Sequence, residues 1–294
     1  MHFLPQSAFF EWKPAAWLRV TGGDAADFLQ GQFTNDLRKL PTNDAVYGLW
    51  LDVKGKVRAD SFVFAGMTGE FWIASYFSLA ATIRERLEAF VIADDVVLED
   101  ASADWSAVTV FGGGAWAQLA AEAHEGFLFR GRRGTTESVE WLFPTSVRTA
   151  VHARLEGVRE LSADEVVRRR IEAGIPAVPT DLGPGDLPNE GGIEGDAISY
   201  TKGCYLGQEV MARLKTMGQV RRRLVRVAVT VSKIPGLPAP LFLGPRQVGE
   251  LRSTAPDGIG GFLGLAMVSL LHVTPGARLS FAPDAPATVI VTGH

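Results

Sequence analysis

The sequence predicts an α+β protein: two related α+β units followed by a small C-terminal β-barrel. Three observations predict it. The phrases "LRVTGGDAADFL" at 18–29 and "VTVFGGGAWAQL" at 108–119 share Val, Gly, Gly, Ala and Leu at an offset of 90 positions. Each phrase joins a β-favouring run, a Gly pair and a helix-like stretch, so one structural unit is used twice. After each phrase come further β-rich runs and then a helical run. Beyond Gln219 the texture changes to short apolar runs split by Gly and Pro, the pattern of a small closed barrel. The resulting boundaries are 1–105, 106–218 and 219–294.

Taken in order, residues 45–76 read "VYGLWLDV", Lys54-Gly55-Lys56, "VRADSFVF", Met67-Thr68-Gly69 and "EFWIASY", which predicts an antiparallel meander. From Ser78, "SLAATIRERLEAFV" places Leu79, Ile83, Leu87, Phe90 and Val91 on one helical face, able to cover the meander. Strands near 127–143 and a helix near 146–157 repeat the scheme loosely. Ser162 and Glu165 form a capping box that opens "ADEVVRRRIEAG". Residues 174–207 lose all amphipathic period and hold eight glycines and four prolines, so they form either a functional loop or a domain connector. The runs "RRRLVRVAVTV", "APLFLG", "QVGELRST", "FLGLAMV" and "ARLSFA" supply the barrel strands.

The bulk numbers exclude several classes. A net charge of −4 on 294 residues argues against a surface built to neutralise phosphates. The start, "MHFLPQSAFFEWKP", lacks a basic region followed by an apolar run, so secretion is not indicated. The most apolar segment, 262–271, is far shorter than the roughly 20 residues of a membrane span. One cysteine allows no intrachain disulfide, which fits a reducing cytoplasm.

Four features invite chemistry. Gly112-Gly113-Gly114-Ala115-Trp116-Ala117 satisfies a dinucleotide-binding pattern, but no ribose-binding acid follows about 20 residues on, and a structural Gly turn explains both copies of the phrase. The histidines at 2, 124, 152, 272 and 294 have no metal-ligand spacing with one another or with the cysteine. The triplets Arg168-Arg169-Arg170 and Arg221-Arg222-Arg223 suit phosphate or a polyglutamate tail, but such runs are more often solvated faces with some members ion-paired. The fourth is the Gly-rich loop, which gathers Asn189, Glu190, Lys202, Cys204, Gln208 and Glu209. Gln208 opens the helical run "QEVMARLK", so Cys204 lies just ahead of a helix amino terminus, where the dipole and Lys202 favour a thiolate. Composition alone favours a buried, inert thiol.

The stretch "KGCYLGQE" resembles the signature K-G-C-[FY]-x-G-Q-E of the YgfZ-like folate-binding proteins, relatives of the glycine-cleavage T-protein, an aminomethyltransferase. "VTGGDAADFLQGQFTND", "DVKGKVRADSFVF", "RRRIEAGIP", "LPNEGGI" and "VGELRST" resemble further elements of that family, so the likeness covers nearly the whole chain. It implies two α+β portions and a barrel around a central cavity that accepts tetrahydrofolate or a one-carbon derivative. Glu190 in "LPNEGGI" matches the glutamate that recognises the pterin, and Asn189, Tyr205, Gln208 and Glu209 are its expected companions in cofactor binding. The transferases carry an aspartate pair after their Gly-rich hairpin. Here Ala59 stands beside Asp60, which puts aminomethyl transfer in doubt while leaving Asp60 a candidate catalytic group with Cys204 and Lys202. The Lys-Gly-Cys element points to the branch linked to iron–sulfur cluster assembly or repair and, in bacteria, to tRNA modification. On that reading Cys204 is one ligand of a [2Fe–2S] cluster shared with a carrier or client protein, or a redox thiol. Direct contact with tRNA is left open, and no membrane is expected.

Overall fold

The computed structural model describes residues 7–40, 44–66, 68–120 and 125–293, so His2, Met67, His124 and His294 lie outside the described residues. The chain divides into two compact units. One comprises Met1–Arg132, Thr136–Leu161 and Gly195–Ala212; the other comprises Arg133–Thr135, Ser162–Glu194 and Arg213–His294.

The first unit contains β1 (Ala8–Trp12), β2 (Ala16–Thr21), α1 (Ala25–Gln32), β3 (Val46–Leu51), β4 (Val57–Ala65), β5 (Phe71–Ser75), α2 (Ala80–Glu88), β6 (Val97–Asp100), β7 (Trp105–Phe111), α3 (Ala115–Ala120), β8 (Phe127–Arg130), β9 (Ser138–Pro144), α4 (Arg148–Arg154) and β10 (Arg159–Glu160). Its two sheets run β3-β4-β5-β2-β6 and β10-β1-β7-β9-β8. The first half proceeds strand, helix, three-stranded meander, helix, strand, and the second strand, helix, hairpin, helix, strand. The two copies of the repeated phrase become β2-turn-α1 and β7-turn-α3, each strand an interior one of its sheet. β1 precedes the first copy, yet it pairs antiparallel with β7 in the second sheet, from Ala8 opposite Phe111 to Trp12 opposite Ala107.

The first glycine of each pair takes a backbone conformation that favours glycine. Gly22 and Gly112 have φ of 117° and 137°, and a Cβ at Gly22 would sit 1.9 Å from Asp95 O. Each turn is tied by a carboxylate from later in its half: Gly23 N–H donates to Asp95 Oδ2 at 2.8 Å, and Gly114 N–H donates to Glu137 Oε2 at 2.9 Å. The Gly112 motif is therefore a turn closed by the chain's own acid.

Period-two alternation fixes both faces of each sheet. Ala16, Leu18 and Val20 turn toward Phe28 and Leu29 of α1 and Ile83 and Leu87 of α2. Val108 and Val110 do the same with Ala115, Leu119 and Val151 of the second half. Between the sheets lies an aromatic layer, where fully buried Trp17 stacks on Trp72 at 4.8 Å and meets Trp105 and Phe127 of the other sheet at 4.9 and 5.2 Å. The meander and its covering helix form as expected, but α2 ends at Glu88, so Phe90 and Val91 pack on the core from beyond the helix, and Leu79 precedes it. Leu79 is extended and 61% exposed because α2 begins one residue later, so it never joins the buried face.

In chain order there follow α5 (Ala163–Glu172), α6 (Glu194–Ala197), α7 (Gln208–Met217) and strands β11 (Arg222–Val229), β12 (Ala239–Leu243), β13 (Arg246–Pro256), β14 (Phe262–Ser269), β15 (Arg278–Leu279) and β16 (Val289–Gly293). The capping box at Ser162 and Glu165 opens α5 as the sequence requires. The six strands run β12-β13-β14-β11-β16-β15. Phe242 and Ser280 exchange backbone hydrogen bonds of 2.9 and 3.0 Å, joining the two edges and nearly closing a barrel over a Val- and Leu-rich core.

Candidate functional site

The signature loop is fixed from beneath by its lysine. Lys202 is buried, and its ammonium donates to the carbonyls of Gln30, Phe33 and Asn35 at 2.6, 2.6 and 3.0 Å. The first two lie at the carboxyl end of α1, where orphan carbonyls and the helix dipole favour a cation. Burial pushes the Lys202 pKa down to about 8. Tyr205 packs its ring 5.3 Å from the same ammonium. Its hydroxyl is buried with no hydrogen-bond partner among the described residues, and burial raises its pKa.

Gly207, with φ of 85°, leads into α7 at a point where a Cβ would lie 2.9 Å from Asp52 O and 3.1 Å from Gly55 Cα. Gly55, the turn residue of the Lys54-Gly55-Lys56 hairpin, has φ of 71° and lies against Val210 and Met211. The hairpin and the signature thus interlock through two glycines. Gly203, by contrast, faces open space. Further ties come from backbone bonds, Leu206 N–H to Gly31 O and Gln208 N–H to Tyr205 O, each 3.1 Å. Gln208 and Glu209 form the first turn of α7, Glu209 exposed. Above this anchored base Cys204 is solvent-exposed, so the thiol is not core packing.

Asp60, on β4, is buried in the first sheet. Its Oδ1 accepts from the hydroxyls of Ser75 and Ser78 at 2.9 and 2.7 Å, and its Oδ2 accepts from Tyr47 at 3.0 Å. Burial raises its pKa while the hydroxyls of Ser78, Ser75 and Tyr47 act against the rise. The Arg132 guanidinium lies 4.0 Å over the Tyr47 ring and is held by Asp196 at 2.8 Å. Beside it, fully buried Glu140 accepts from Tyr76 at 2.6 Å, Thr109 at 2.6 Å and Trp12 at 3.1 Å.

Glu190 lies in the second unit, in a 3-10 turn over Pro188–Glu190. It is buried and accepts two bonds from Arg222, Nε to Oε1 at 3.0 Å and a terminal nitrogen to Oε2 at 3.1 Å, plus Leu187 N–H at 2.8 Å. Arg222 also reaches Asp186 at 3.0 Å, and Asp186 is clamped from the other side by Arg252. Glu190 and Arg222 share the wall of a cavity of about 550 Å³ with Leu187, Leu214 and Ser269. The neighbouring Asn189 Oδ1 is buried and without a hydrogen-bond partner among the described residues. Of the predicted residues, the structure brings Lys202 and Tyr205 together beneath Cys204 and sets Asn189 beside Glu190; Asp60 has a separate network of its own.

Comparisons with known proteins show what the chain is similar to. A family model for the GCVT N-terminal domain matches residues 4–127. The tRNA-modifying protein YgfZ of Sodalis glossinidius is 28% identical over 236 residues, covering 74% of this chain and 71% of that protein. The tRNA-modifying protein YgfZ of Yersinia enterocolitica is 28% identical over 237 residues, covering 76% of this chain and 71% of its own length. The chain is thus similar to the YgfZ proteins and, over residues 4–127, to the GCVT N-terminal domain. Its fold is that of the glycine cleavage system aminomethyltransferase T from Bartonella henselae, matched with a TM-score of 0.79 at 17% identity over 98% of this chain and 85% of the other.

Within this YgfZ-like frame, sequence reasoning missed Arg222, Tyr47, Ser75 and Ser78. Each Arg triplet was expected to be a solvated face with some members ion-paired, and the paired members are Arg222, which holds Glu190 and Asp186, and Arg170, which is buried against Asp181. For Asp60 the available signal was "SYFS", polar hydroxyls where an apolar strand hands over to α2. Among the described residues no group of three or more His, Cys, Asp or Glu side chains could hold a metal ion, and no helix is long and apolar enough to cross a membrane.

Proposed function

We propose that this chain binds tetrahydrofolate or a one-carbon derivative and acts in the cytoplasm as an accessory factor for iron–sulfur cluster assembly or repair, in bacteria tied to tRNA modification. The observation that carries the reading is Cys204, exposed on a loop whose base is locked by Lys202, Gly207 and Gly55. An accessible thiol on a rigid support suits a handover between proteins. Cys204 supplies one thiolate to a [2Fe–2S] cargo, and an iron–sulfur carrier or client supplies the rest. The YgfZ relatives, which are tRNA-modifying proteins, support the link to tRNA modification.

The pterin belongs at Glu190, with Asn189 beside it. A carboxylate offers about four acceptor positions, of which three are filled by Arg222 and Leu187, so a pterin amino group and ring N–H require one Arg222 bond to yield. Arg222 has a side chain 42% exposed and keeps Asp186 as a partner, so that exchange is feasible. The unpartnered Asn189 Oδ1 offers a further acceptor, and Tyr205, Gln208 and Glu209 are assigned to the cofactor on the family resemblance. Tetrahydrofolate when bound supplies the nitrogens that carry a one-carbon unit.

Asp60 supports a second reading, a tetrahydrofolate-dependent aminomethyl transferase, because a buried carboxylate held by three hydroxyls is poised to position a reacting nitrogen. Cys204→Ala separates the two. The first reading predicts loss of iron–sulfur enzyme activity in cells with folate binding retained, and full complementation by the variant contradicts it. The second predicts methylenetetrahydrofolate formation from an aminomethyl donor that survives Cys204→Ala and disappears in Asp60→Ala.

A further inference from the structure

We propose that the Lys54-Gly55-Lys56 hairpin is the docking face that seats an iron–sulfur protein with an acidic surface beside Cys204; this rests on the reading of Cys204 as one ligand of a shared cluster. The hairpin and the signature loop belong to the same compact unit. A Cβ at Gly207 would lie 3.1 Å from Gly55 Cα. Three residues of chain span at most about 11 Å, so the Cα atoms of Cys204 and Gly55 lie within about 16 Å of each other. A partner face of ordinary size, about 800 Å², covers both.

The hairpin tip combines an apolar centre with unneutralised charge. Val53 is 66% exposed, an aliphatic side chain on the turn itself, and Lys54 and Arg58 are exposed beside a half-buried Lys56. Among the described residues none of these three cations pairs with a carboxylate. The one acid of the segment, Asp52, is committed to the turn: its Oδ1 accepts from Lys54 N–H at 2.8 Å and Lys56 N–H at 2.9 Å. With Gly55 N–H on Asp52 O at 2.9 Å, these bonds hold the turn in shape before a partner arrives, which lowers the ordering cost of association. Three cations against one carboxylate make a positive spot on a chain of net charge −4, the complement of an acidic surface. An aliphatic centre with a charged rim is the make-up of a protein interface. Single-stranded RNA calls for aromatic platforms, and none of the four side chains is aromatic.

The test uses the full-length protein with Lys54→Glu/Lys56→Glu/Arg58→Glu and with Cys204→Ala. The neutral Lys54→Gln/Lys56→Gln/Arg58→Gln adds no repulsion with Asp52 and serves where the Glu variant fails to fold. Each should melt with the parent and keep its tetrahydrofolate affinity. Cys204 is the only thiol, so its rate with the anionic disulfide 5,5′-dithiobis(2-nitrobenzoate), relative to cationic cystamine, reads the field of the hairpin. At low salt this ratio should fall at least about fivefold in the Glu variant and less in the Gln variant, and the differences should close as salt rises. An unchanged ratio overturns the juxtaposition. In cells lacking the chain, the Glu variant should fail to restore iron–sulfur enzyme activity, as Cys204→Ala does, and the Gln variant should fall between it and the parent. Full restoration by either hairpin variant while Cys204→Ala fails overturns the docking face and leaves the reading of the cysteine standing. Full restoration by Cys204→Ala overturns that reading and the docking face with it. Filter binding of transfer RNA that is present in the parent and lost in the Glu variant assigns the face to RNA and overturns the protein partner.

Discussion

Replacing Lys202 by Met asks what the lysine of the signature does. The methionine keeps a stem of similar length but removes the ammonium and its three hydrogen bonds of 2.6, 2.6 and 3.0 Å. Hydrogen bonds from a charged donor contribute about 1.5–3 kcal/mol each, but three bonds from one ammonium are not additive. The ammonium also escapes the desolvation that holds its pKa down to about 8, which offsets part of the loss. Stranding neutral buried carbonyls costs about 1–3 kcal/mol each before relaxation, and with that offset a net loss of about 3 kcal/mol is expected. For a unit of this size that corresponds to a fall of roughly 6–12 °C in the melting temperature. Circular dichroism melts of Lys202→Met and Cys204→Ala check it, the exposed cysteine serving as a control that should shift stability by no more than about 0.5 kcal/mol. A melting temperature within about 2 °C of the parent for Lys202→Met would refute the carbonyl cage and return the lysine to a purely chemical role.

Gly207→Ala should lose about 2–4 kcal/mol, because φ of 85° is unfavourable for alanine and its Cβ would press on Asp52 O at 2.9 Å; denaturant midpoints measure it, and Gly203→Ala, in open space, should be nearly silent. Asp60 sets a pH dependence. Its folded pKa is raised, so the native state takes up the proton first as pH falls from neutral, and its contribution makes the fold more stable down to the unfolded carboxylate value. Asp60→Asn should remove that component, visible as a difference in urea midpoint between the variant and the parent that narrows from pH 7 toward pH 4; a constant difference contradicts it.

The elements that sequence resolved are those in which one local rule decides the outcome. The Gly pairs at 22 and 112 admit only a tight turn, the alternation of 45–76 admits only strands, and Ser162 with Glu165 admits only a helix start. Contacts made across long separations were not legible. β1 crosses to the second sheet because its partner is β7, 95 or more positions away in every register pair, and no local pattern in "AFFEW" encodes that choice. The aromatic layer around Trp17 is hidden for the same reason, since Trp105 and Phe127 look like ordinary strand residues. At the candidate site, the Gly-rich loop drew attention to Cys204 and Glu190, and the family resemblance supplied the roles expected of them. The role of Arg222 was not legible, because an Arg triplet carries no sign of which member meets a buried acid. Leu79 was misplaced by a single residue of helix boundary.

The central claim is that Glu190 recognises the pterin of tetrahydrofolate. Calorimetric titration of tetrahydrofolate into the parent protein and into Glu190→Ala, each first shown to be folded by its melt, tests it most directly. The account predicts one-site binding in the parent and a loss of at least about a hundredfold in the variant, since two charge-assisted bonds disappear. Unchanged affinity in Glu190→Ala would contradict it.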